Sequence, residues 1–320
     1  MKTQRWVRAI QVAASLAVLW ALARDLDGAT VEEALRHASL GWLIAAMAVK
    51  GLGLAIHELR LWLCLPAPRP PAGKVFALGF LAGMMNLVLP ARGGDLLAIA
   101  LLNRDCGVRP TAATAAVGLV AFLEAAVFGV FLAVVLALGA SQWIAVIGAA
   151  AQSKALWMVG GITGAGILGV WVLGRLGRGE KRLPGPLALV RQTAADGRAV
   201  MNSPQAVLLH VGLAVLRVAF TLGGFTLALP AAGLSVPVPW LAASGVLALS
   251  SVAAVALPPT FAAGPAATSV AVLAVFGVDR AGALAYAGAY WLVAHVPAVV
   301  LGLPWVWLRR ADPPAGGRTI

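Results

Sequence analysis

The sequence predicts an all-α polytopic membrane protein with about six full transmembrane helices and two re-entrant helical hairpins in an inverted-topology repeat. Composition is the first reason: 61% of the 320 residues are hydrophobic, only 11% are charged, and the mean hydropathy is +0.91. A soluble globular domain carries about twice that share of charged residues. The second reason is that apolar runs of ~20 residues, the length that crosses a bilayer, recur along the chain. The third is a pair of apolar runs that Pro and Gly interrupt at matching places.

The basic residues are grouped in short segments between the apolar runs. The formal net charge is +12, and the Lys and Arg residues of a membrane protein concentrate in its cytoplasmic segments. We therefore expect these segments to contact anionic lipid headgroups and not nucleic acid. The same rule places both chain termini in the cytoplasm. Cys64 and Cys106 have no metal-ligand spacing, so we expect neither a metal nor a cofactor.

The apolar runs and the charges divide the chain into segments. The capping box formed by Thr30 and Glu33 opens an external surface helix after the first span, and residues 141–151 are predicted to form a second surface helix. The segments are 1–39, the first span and the external helix; 40–174, the first membrane repeat; 175–202, a basic cytoplasmic loop; 203–308, the second repeat; and 309–320, a cytoplasmic tail. The full spans are predicted at about 6–23, 40–63, 110–138, 155–173, 204–228 and 283–308.

The first interrupted run, predicted as a hairpin over residues 75–106, is the stretch around which the chain is organised. The apolar run extends to Leu89, is interrupted by the sequence Pro-Ala-Arg-Gly-Gly-Asp, and resumes at Leu96. Each arm is too short to cross a bilayer, so we expect the chain to enter the membrane and return. Lys74 precedes the hairpin and Arg109 follows it, which places both ends on the cytoplasmic face.

The second interrupted run, predicted as a hairpin over residues 240–277, repeats the parts of the first in the same order. Leu257-Pro258 corresponds to Leu89-Pro90, and a pair of small residues follows in each case. The uncharged loop before this hairpin and the flanking spans place its ends outside. In transporters, repeats of opposite orientation hold the substrate at their interface near the middle of the membrane.

A family resemblance rests on residues of both hairpins. The first contains Asn86-Leu87-Val88-Leu89-Pro90-Ala91-Arg92-Gly93-Gly94-Asp95, and the second contains Phe276-Gly277-Val278. These motifs resemble those of the flippase-like membrane family typified by the transmembrane domain of lysylphosphatidylglycerol synthase (MprF type). The resemblance covers about residues 40–308. It implies a bacterial inner-membrane protein that moves or binds lipids or lipid-linked molecules.

The chain departs from the pattern of that family at three positions. Asp95 stands where a Glu is usual, Ala98 where an Arg is common, and Ala266 where a His or Glu is common. The soluble aminoacyl-transfer domain of the bifunctional synthases is not present in this sequence. The resemblance therefore implies a role in lipid movement without lysyl transfer.

The break in the first hairpin predicts an anion-binding site. Gly93 and Gly94 let a ligand approach the backbone, and Asp95 can N-cap the returning arm, whose free N–H groups favour an anion. In the second hairpin Pro265 is predicted at the first position of another half-helix, with Thr268 and Ser269 in its first turn. We expect Arg92 to contact the phosphate of an anionic lipid or isoprenoid-phosphate carrier; alternatively, Arg92 and Asp95 form an ion pair that only holds the tip together. The predicted substrate-binding residues are Asn86, Arg92, Gly93, Gly94, Asp95, Glu124, Arg217, Gly264, Thr268 and Ser269.

Two charged residues are predicted deep within spans. A charge there costs ~2.5 kcal/mol or more unless it is paired, so we expect Glu124 and Arg217 to pair with each other or with the charges of the first hairpin. The pair either lines the substrate cavity or is an interhelical tie outside any substrate path.

Other polar residues give weaker signals of function. Lys50 can snorkel, and His57, Glu58 and Arg60 are predicted near the cytoplasmic interface. His210 and His295 are predicted to be packing residues.

Three functions remain compatible with these features. A lipid flippase or carrier of a lipid-linked molecule is favoured by the inverted hairpins and the anion site. A non-transporting accessory subunit of a lipid or cell-envelope pathway is the alternative. A lipid-modifying enzyme is the least favoured, because the sequence contains no HExxH motif, no Cys/His cluster and no carboxylate dyad at a useful spacing.

Overall fold

The computed structural model describes residue 20 and residues 36–86, 93–138, 185–256 and 263–311. Over these ranges the chain is built of helices joined by short turns, without a strand. The helices are α1 Leu40–Leu63, α2 Ala72–Met85, α3 Gly93–Cys106, α4 Pro110–Leu138, α5 Gly185–Val200, α6 Pro204–Ala231, α7 Pro239–Ala256, α8 Ala263–Ala274 and α9 Arg280–Ala311.

Four of the described helices are long and apolar enough to cross a membrane: α1, α4, α6 and α9. They coincide with four of the predicted spans, and α1 and α4 have the predicted bounds. The all-α, multi-pass membrane architecture is therefore confirmed. The two remaining spans, at about 6–23 and 155–173, and the surface helices predicted at their sides lie outside the described residues.

Both interrupted runs form pairs of packed helices, as predicted. In the first hairpin α2 and α3 have 14 residues each, and in the second α7 and α8 have 18 and 12. The ends of the first hairpin lie side by side, because the Lys74 ammonium near the start of α2 donates to the Asp105 carbonyl near the end of α3 at 2.5 Å. The chain thus returns to where the hairpin began, although the tips, at residues 87–92 and 257–262, lie outside the described residues.

The described helices fall into two compact units, each containing one hairpin. The first-hairpin unit contains α2, α3, α5 and the parts of the long helices from Gly51 in α1, up to Phe128 in α4, up to Val218 in α6 and from His295 in α9. The second-hairpin unit contains α7, α8 and the remaining parts of those four helices. The inverted relation between the two repeats stays a prediction.

Small residues bring the helices of the first-hairpin unit close together. A Cβ added at Gly302 in α9 would overlap the Phe80 carbonyl of α2, and one added at Gly94 in α3 would overlap the Ala82 carbonyl. Glycine at such crossings lets helix backbones approach within a membrane. Between the helices lies an apolar core that includes Leu61, Cys64, Leu65, Val75, Leu102, Val108, Ala112, Ala113, Ala116 and Val120.

The second-hairpin unit holds its long helices together with aromatic and polar contacts. The rings of Phe225 and Tyr290 stack at 4.0 Å, and the Tyr286 hydroxyl donates to the Phe225 carbonyl at 3.1 Å. Lys50, for which snorkelling is possible from sequence, instead donates to the Thr221 hydroxyl at 3.1 Å and lies 5.7 Å from the centre of the Phe225 ring. The lysine thus belongs to the interior of this unit.

Three local details differ from the expectations. The segment predicted as a basic loop contains the 16-residue helix α5, because its apolar and polar residues recur with a helical period. Helix α8 begins at Ala263, so Pro265 is in its first turn and not at its first position. Thr268 and Ser269 consequently lie in the second turn.

Candidate functional site

Glu124 of α4 is the centre of a buried cluster of charged side chains in the first-hairpin unit. Its Oε1 lies 2.7 Å from His57 Nδ1 and accepts a hydrogen bond from Arg60 Nη1 at 2.8 Å. Its Oε2 lies 2.8 Å from Arg217 Nη1. One carboxylate therefore joins α1, α4 and α6, and the predicted pairing of Glu124 with Arg217 is present.

Helix α1 contributes two side chains to the cluster because of their spacing along the helix. His57 and Arg60 are three residues apart, so they lie on the same face of the helix. Arg60 is the largest fully buried side chain described, with 0% of its surface exposed. The guanidinium is buried inside the unit because Glu124 offers it a carboxylate there, and its depth near the cytoplasmic interface stays a prediction.

The arginines of this cluster have hydrogen-bond donors left over. Within the described part of the chain, Nε and Nη2 of Arg60 and Nε of Arg217 are buried without a hydrogen-bond partner. Buried polar groups are normally paired, and a guanidinium can hold two planar anions with its two edges. These N–H groups can therefore donate hydrogen bonds to a further anionic group.

Glu58 of α1 is buried beside this cluster, with only 4% of its surface exposed. Its carboxylate lies against the backbone of α2 at Gly79, where an added Cβ would overlap it. Its Oε2 has no hydrogen-bond partner among the residues that the structure describes. The charged neighbours that act on it electrostatically are His57, Asp95, Glu124 and Arg217.

Asn86 ties the described ends of the first hairpin together across the tip. Its Oδ1 accepts from the Gly94 backbone N–H at 2.8 Å, and its Nδ2 donates to Asp95 Oδ1 at 3.0 Å. Asn86 therefore caps α3, whereas the sequence predicted that Asp95 does so. The space beside Gly94, predicted to admit a ligand, is filled by the Ala82 carbonyl and the Asn86 side chain. Gly93 begins α3, and Arg92 lies outside the described residues.

The predicted residues of the second hairpin bond mainly to their own hairpin. The Thr268 hydroxyl lies 3.0 Å from the Gly264 carbonyl and 2.6 Å from the Ser250 hydroxyl. Ser269 is completely buried, and its Oγ has no hydrogen-bond partner among the described residues. Thr268 thus braces α8 against α7, and Ser269 is the predicted residue here with hydrogen-bonding capacity to spare.

A cavity of about 470 Å³ lies at the end of the first-hairpin unit where the basic residues are found. Arg69 packs over the Trp62 ring at 5.4 Å, and Arg109 pairs with Asp196 of α5 at 3.2 Å. The cavity is lined by Leu63, Cys64, Leu65, Pro66, Ala67, Arg69, Arg109, Ala112, Asp196, Ala199, Val200, Asn202, Ala206, Leu209 and His210.

Cys64 in the wall of this cavity follows Arg60 by one helical turn. Its Sγ lies 3.8 Å from His210 Nδ1, which places His210 in a packing contact, as predicted. Burial raises the pKa of the Cys64 thiol to about 12. At neutral pH it is therefore a protonated thiol and not a nucleophilic thiolate. No group of three or more His, Cys, Asp or Glu side chains in the described ranges is placed to hold a metal ion.

The comparison with known families covers both units. The sequence pattern of the lysylphosphatidylglycerol synthase TM region matches residues 8–302. The chain belongs to the lysylphosphatidylglycerol synthase TM-region family. No curated protein sequence matches it. Membership confirms the resemblance inferred from the hairpin motifs and identifies a multi-pass membrane protein of that flippase-like family.

In this member of the lysylphosphatidylglycerol synthase TM-region family, the departures at Ala98 and Ala266 are buried alanines, 6% and 3% exposed. They add no charge there. The buried charged side chains in the described part of the chain, Glu58, Arg60 and Glu124, are concentrated on α1 and α4. Sequence reasoning missed Glu58 and Arg60 as members of this concentration, although the spacing of His57 and Arg60 was a usable signal.

Proposed function

We propose that this protein is a carrier, and not an enzyme, that moves an anionic lipid or a lipid-linked anion such as an isoprenoid phosphate across the bacterial inner membrane. The observation that supports this proposal is the buried cluster, in which two arginines meet on Glu124 and keep unpaired N–H donors. Family membership independently supports a lipid-related role.

The donors in the cluster suit a phosphate group better than a neutral headgroup. Glu124 orients Arg60 and Arg217 through one nitrogen each, which leaves Nε and Nη2 of Arg60 and Nε of Arg217 available. A phosphodiester offers oxygens at the spacing of a guanidinium fork. Its negative charge also stabilises arginines that would otherwise be buried with incomplete hydrogen bonding.

The cavity provides a place from which a headgroup can reach the cluster. Arg69 and Arg109 line it, and the wall residue Cys64 follows Arg60 by one turn of α1. A lipid headgroup attracted by these arginines would approach from the end of the unit that the charge distribution predicts to be cytoplasmic. The first hairpin, which contacts the cluster through Gly79 and Glu58, would then be the element that the substrate passes.

The proposal is tested with purified protein in proteoliposomes that contain a fluorescent anionic lipid of the phosphatidylglycerol class. The fraction of label in each leaflet is measured with a membrane-impermeant quencher. We expect the protein to move this lipid, and Arg217→Gln to lower the rate at least about tenfold, since each 1.4 kcal/mol of lost interaction is a factor of ten. Arg217→Lys keeps the charge but not the fork, so it should also be slow.

A matched control separates the anion site from a structural tie. Arg104→Gln removes an exposed guanidinium whose Nε lies 2.9 Å from the Asp105 carboxylate. Exposed ion pairs contribute little to stability, so this variant should move lipid at the normal rate. Arg217→Lys is the second control, because it keeps a positive charge beside Glu124 and should therefore keep most of the thermal stability in detergent while lipid movement is slow. A normal rate of lipid movement for Arg217→Gln would contradict the anion site.

A further inference from the structure

Glu58 is a buried carboxyl group that the anion site does not use. We infer that Glu58 binds a proton that enters the site together with the anionic group, so that lipid movement is coupled to proton movement. This inference rests on the proposed function and adds the ion that drives it.

The position of Glu58 leaves little room for water around its carboxylate. The residue is 4% exposed, and its carboxylate lies directly on the α2 backbone because position 79 is a glycine. Among the described residues nothing donates a hydrogen bond to its Oε2. An ionised carboxylate in such a place is strongly destabilised, and taking up a proton removes that cost.

The titratable groups that act electrostatically on Glu58 lie on four helices. They are His57 on α1 itself, Asp95 on α3, Glu124 on α4 and Arg217 on α6, while α2 approaches with the backbone of Gly79. Two of these neighbours are acidic. The two basic neighbours, His57 and Arg217, both contact the Glu124 carboxylate.

Of the three neighbouring carboxyl groups, Glu58 is therefore the one best placed to take up a proton. Glu124 receives three cationic or imidazole donors on its two oxygens, and Asp95 receives the Asn86 amide. Such donors stabilise the ionised form of a carboxylate. Glu58 Oε2 has no comparable donor among the described side chains.

Proton binding at Glu58 changes the charge that an anion meets. When Glu58 is ionised, its charge and that of Glu124 balance those of Arg60 and Arg217. When Glu58 is protonated, these four groups carry one net positive charge, which a phosphodiester monoanion neutralises. Proton and anion therefore favour each other's binding, and by linkage the effect is reciprocal. One proton and one monoanionic lipid would cross together without net movement of charge.

The test uses the same proteoliposomes with an imposed pH gradient and a clamped membrane potential. For the unaltered protein, we expect the labelled anionic lipid to accumulate in the leaflet on the alkaline side, by about tenfold per unit of pH difference at equilibrium, the ratio that one coupled proton supplies. A membrane potential alone should not drive accumulation. Internal pyranine should report acidification that depends on the anionic lipid.

Glu58→Gln is the decisive variant, because an amide of the same shape stays neutral at every pH. Exchange of lipid between leaflets should lose its dependence on pH, and a pH gradient should no longer drive accumulation. Asp105→Asn makes the same chemical change on α3 outside the cluster, beside Arg104, and should keep the full response.

The outcomes separate this inference from the proposed function. If the unaltered protein moves the lipid but neither accumulates it in a pH gradient nor acidifies the lumen, proton coupling is wrong and the carrier proposal stands. The same holds if Glu58→Gln keeps the full gradient response. If the unaltered protein moves no anionic lipid under any condition, both proposals fail. The pyranine measurement on the unaltered protein decides the question even if Glu58→Gln does not fold.

Discussion

At the scale of single residues, the buried charged side chains in the described part of the protein, Glu58, Arg60 and Glu124, all lie in one compact unit. Removing a lone ion from water costs several kcal/mol even after the surroundings relax. Contacts with Glu124 offset this desolvation cost for His57, Arg60 and Arg217. An apolar substitute of similar volume is often as stable as a buried ion pair. Stability alone therefore does not require this cluster, which is why we connect it to an anion and a proton.

Gly79 provides a test at this scale. Gly79→Ala should destabilise the protein by about 1–3 kcal/mol, because the new methyl group would overlap the Glu58 carboxylate and one of the two must move. The measurement is the midpoint of thermal unfolding in detergent.

Gly83, one turn further along α2, is the matched control for this substitution. A Cβ there meets nothing within 4 Å among the described residues, so Gly83→Ala should be neutral or slightly stabilising, as alanine is favoured over glycine in helices by about 1 kcal/mol. Equal unfolding midpoints for the two variants would show that Glu58 does not pack against Gly79.

At the scale of elements, the first hairpin is held at both ends of its arms. Asn86 joins α2 to the first turn of α3, and Lys74 joins the start of α2 to the end of α3. In a membrane interior, backbone donors at a helix N-terminus must find partners within the protein. The Asn86 side chain satisfies one of them, the Gly94 N–H.

Asn86→Ala tests this role. It leaves Gly94 without its acceptor and Asp95 without the amide, so we expect a loss of about 1–2 kcal/mol of stability, the usual effect of removing a cap. Hydrogen–deuterium exchange at the first turn of α3 should accelerate.

Asn86→Asp distinguishes the two hydrogen bonds of Asn86. The carboxylate keeps an acceptor for the Gly94 N–H but faces the Asp95 carboxylate, so it should retain slow exchange at Gly94 while losing thermal stability. Slow exchange in Asn86→Ala would show that Asn86 is not the cap.

At the scale of the whole molecule, the first hairpin determines how the chain crosses the membrane. The contact of Lys74 with Asp105 brings the two ends of the hairpin together. A chain that crossed fully between these residues would hold them apart by the bilayer thickness, ~30 Å. The structure of this unit therefore agrees with re-entry, and the charge rule predicts the cytoplasmic face for both ends.

Labelling of single cysteines tests that topology. In a background without Cys64 and Cys106, cysteines at positions 74 and 109 should react with a membrane-impermeant maleimide from the cytoplasmic side only. A cysteine at position 235, in the loop predicted outside, should react from the opposite side. Reaction of positions 74 and 109 from opposite sides would exclude a re-entrant hairpin.

The sequence alone predicted the long helices, both hairpins and the Glu124–Arg217 pair. The bounds of α1 and α4 follow from long, predominantly apolar runs, because an apolar side chain is favourable in a bilayer whichever helix lies beside it. The pair follows from the cost of an unpartnered charge at that depth. These features depend on the chain and the membrane, and not on how helices pack.

Packing decided the rest of the site. Whether Arg60 and Glu58 are interfacial or buried depends on how α1 is rotated and on what it meets, and here it meets Glu124 of α4 and the bare backbone at Gly79. Likewise Asn86, not Asp95, caps α3 because α2 ends within reach of it. Residues far apart in the chain make these contacts, so hydropathy, charge and spacing along one segment hold no information on which partners will meet.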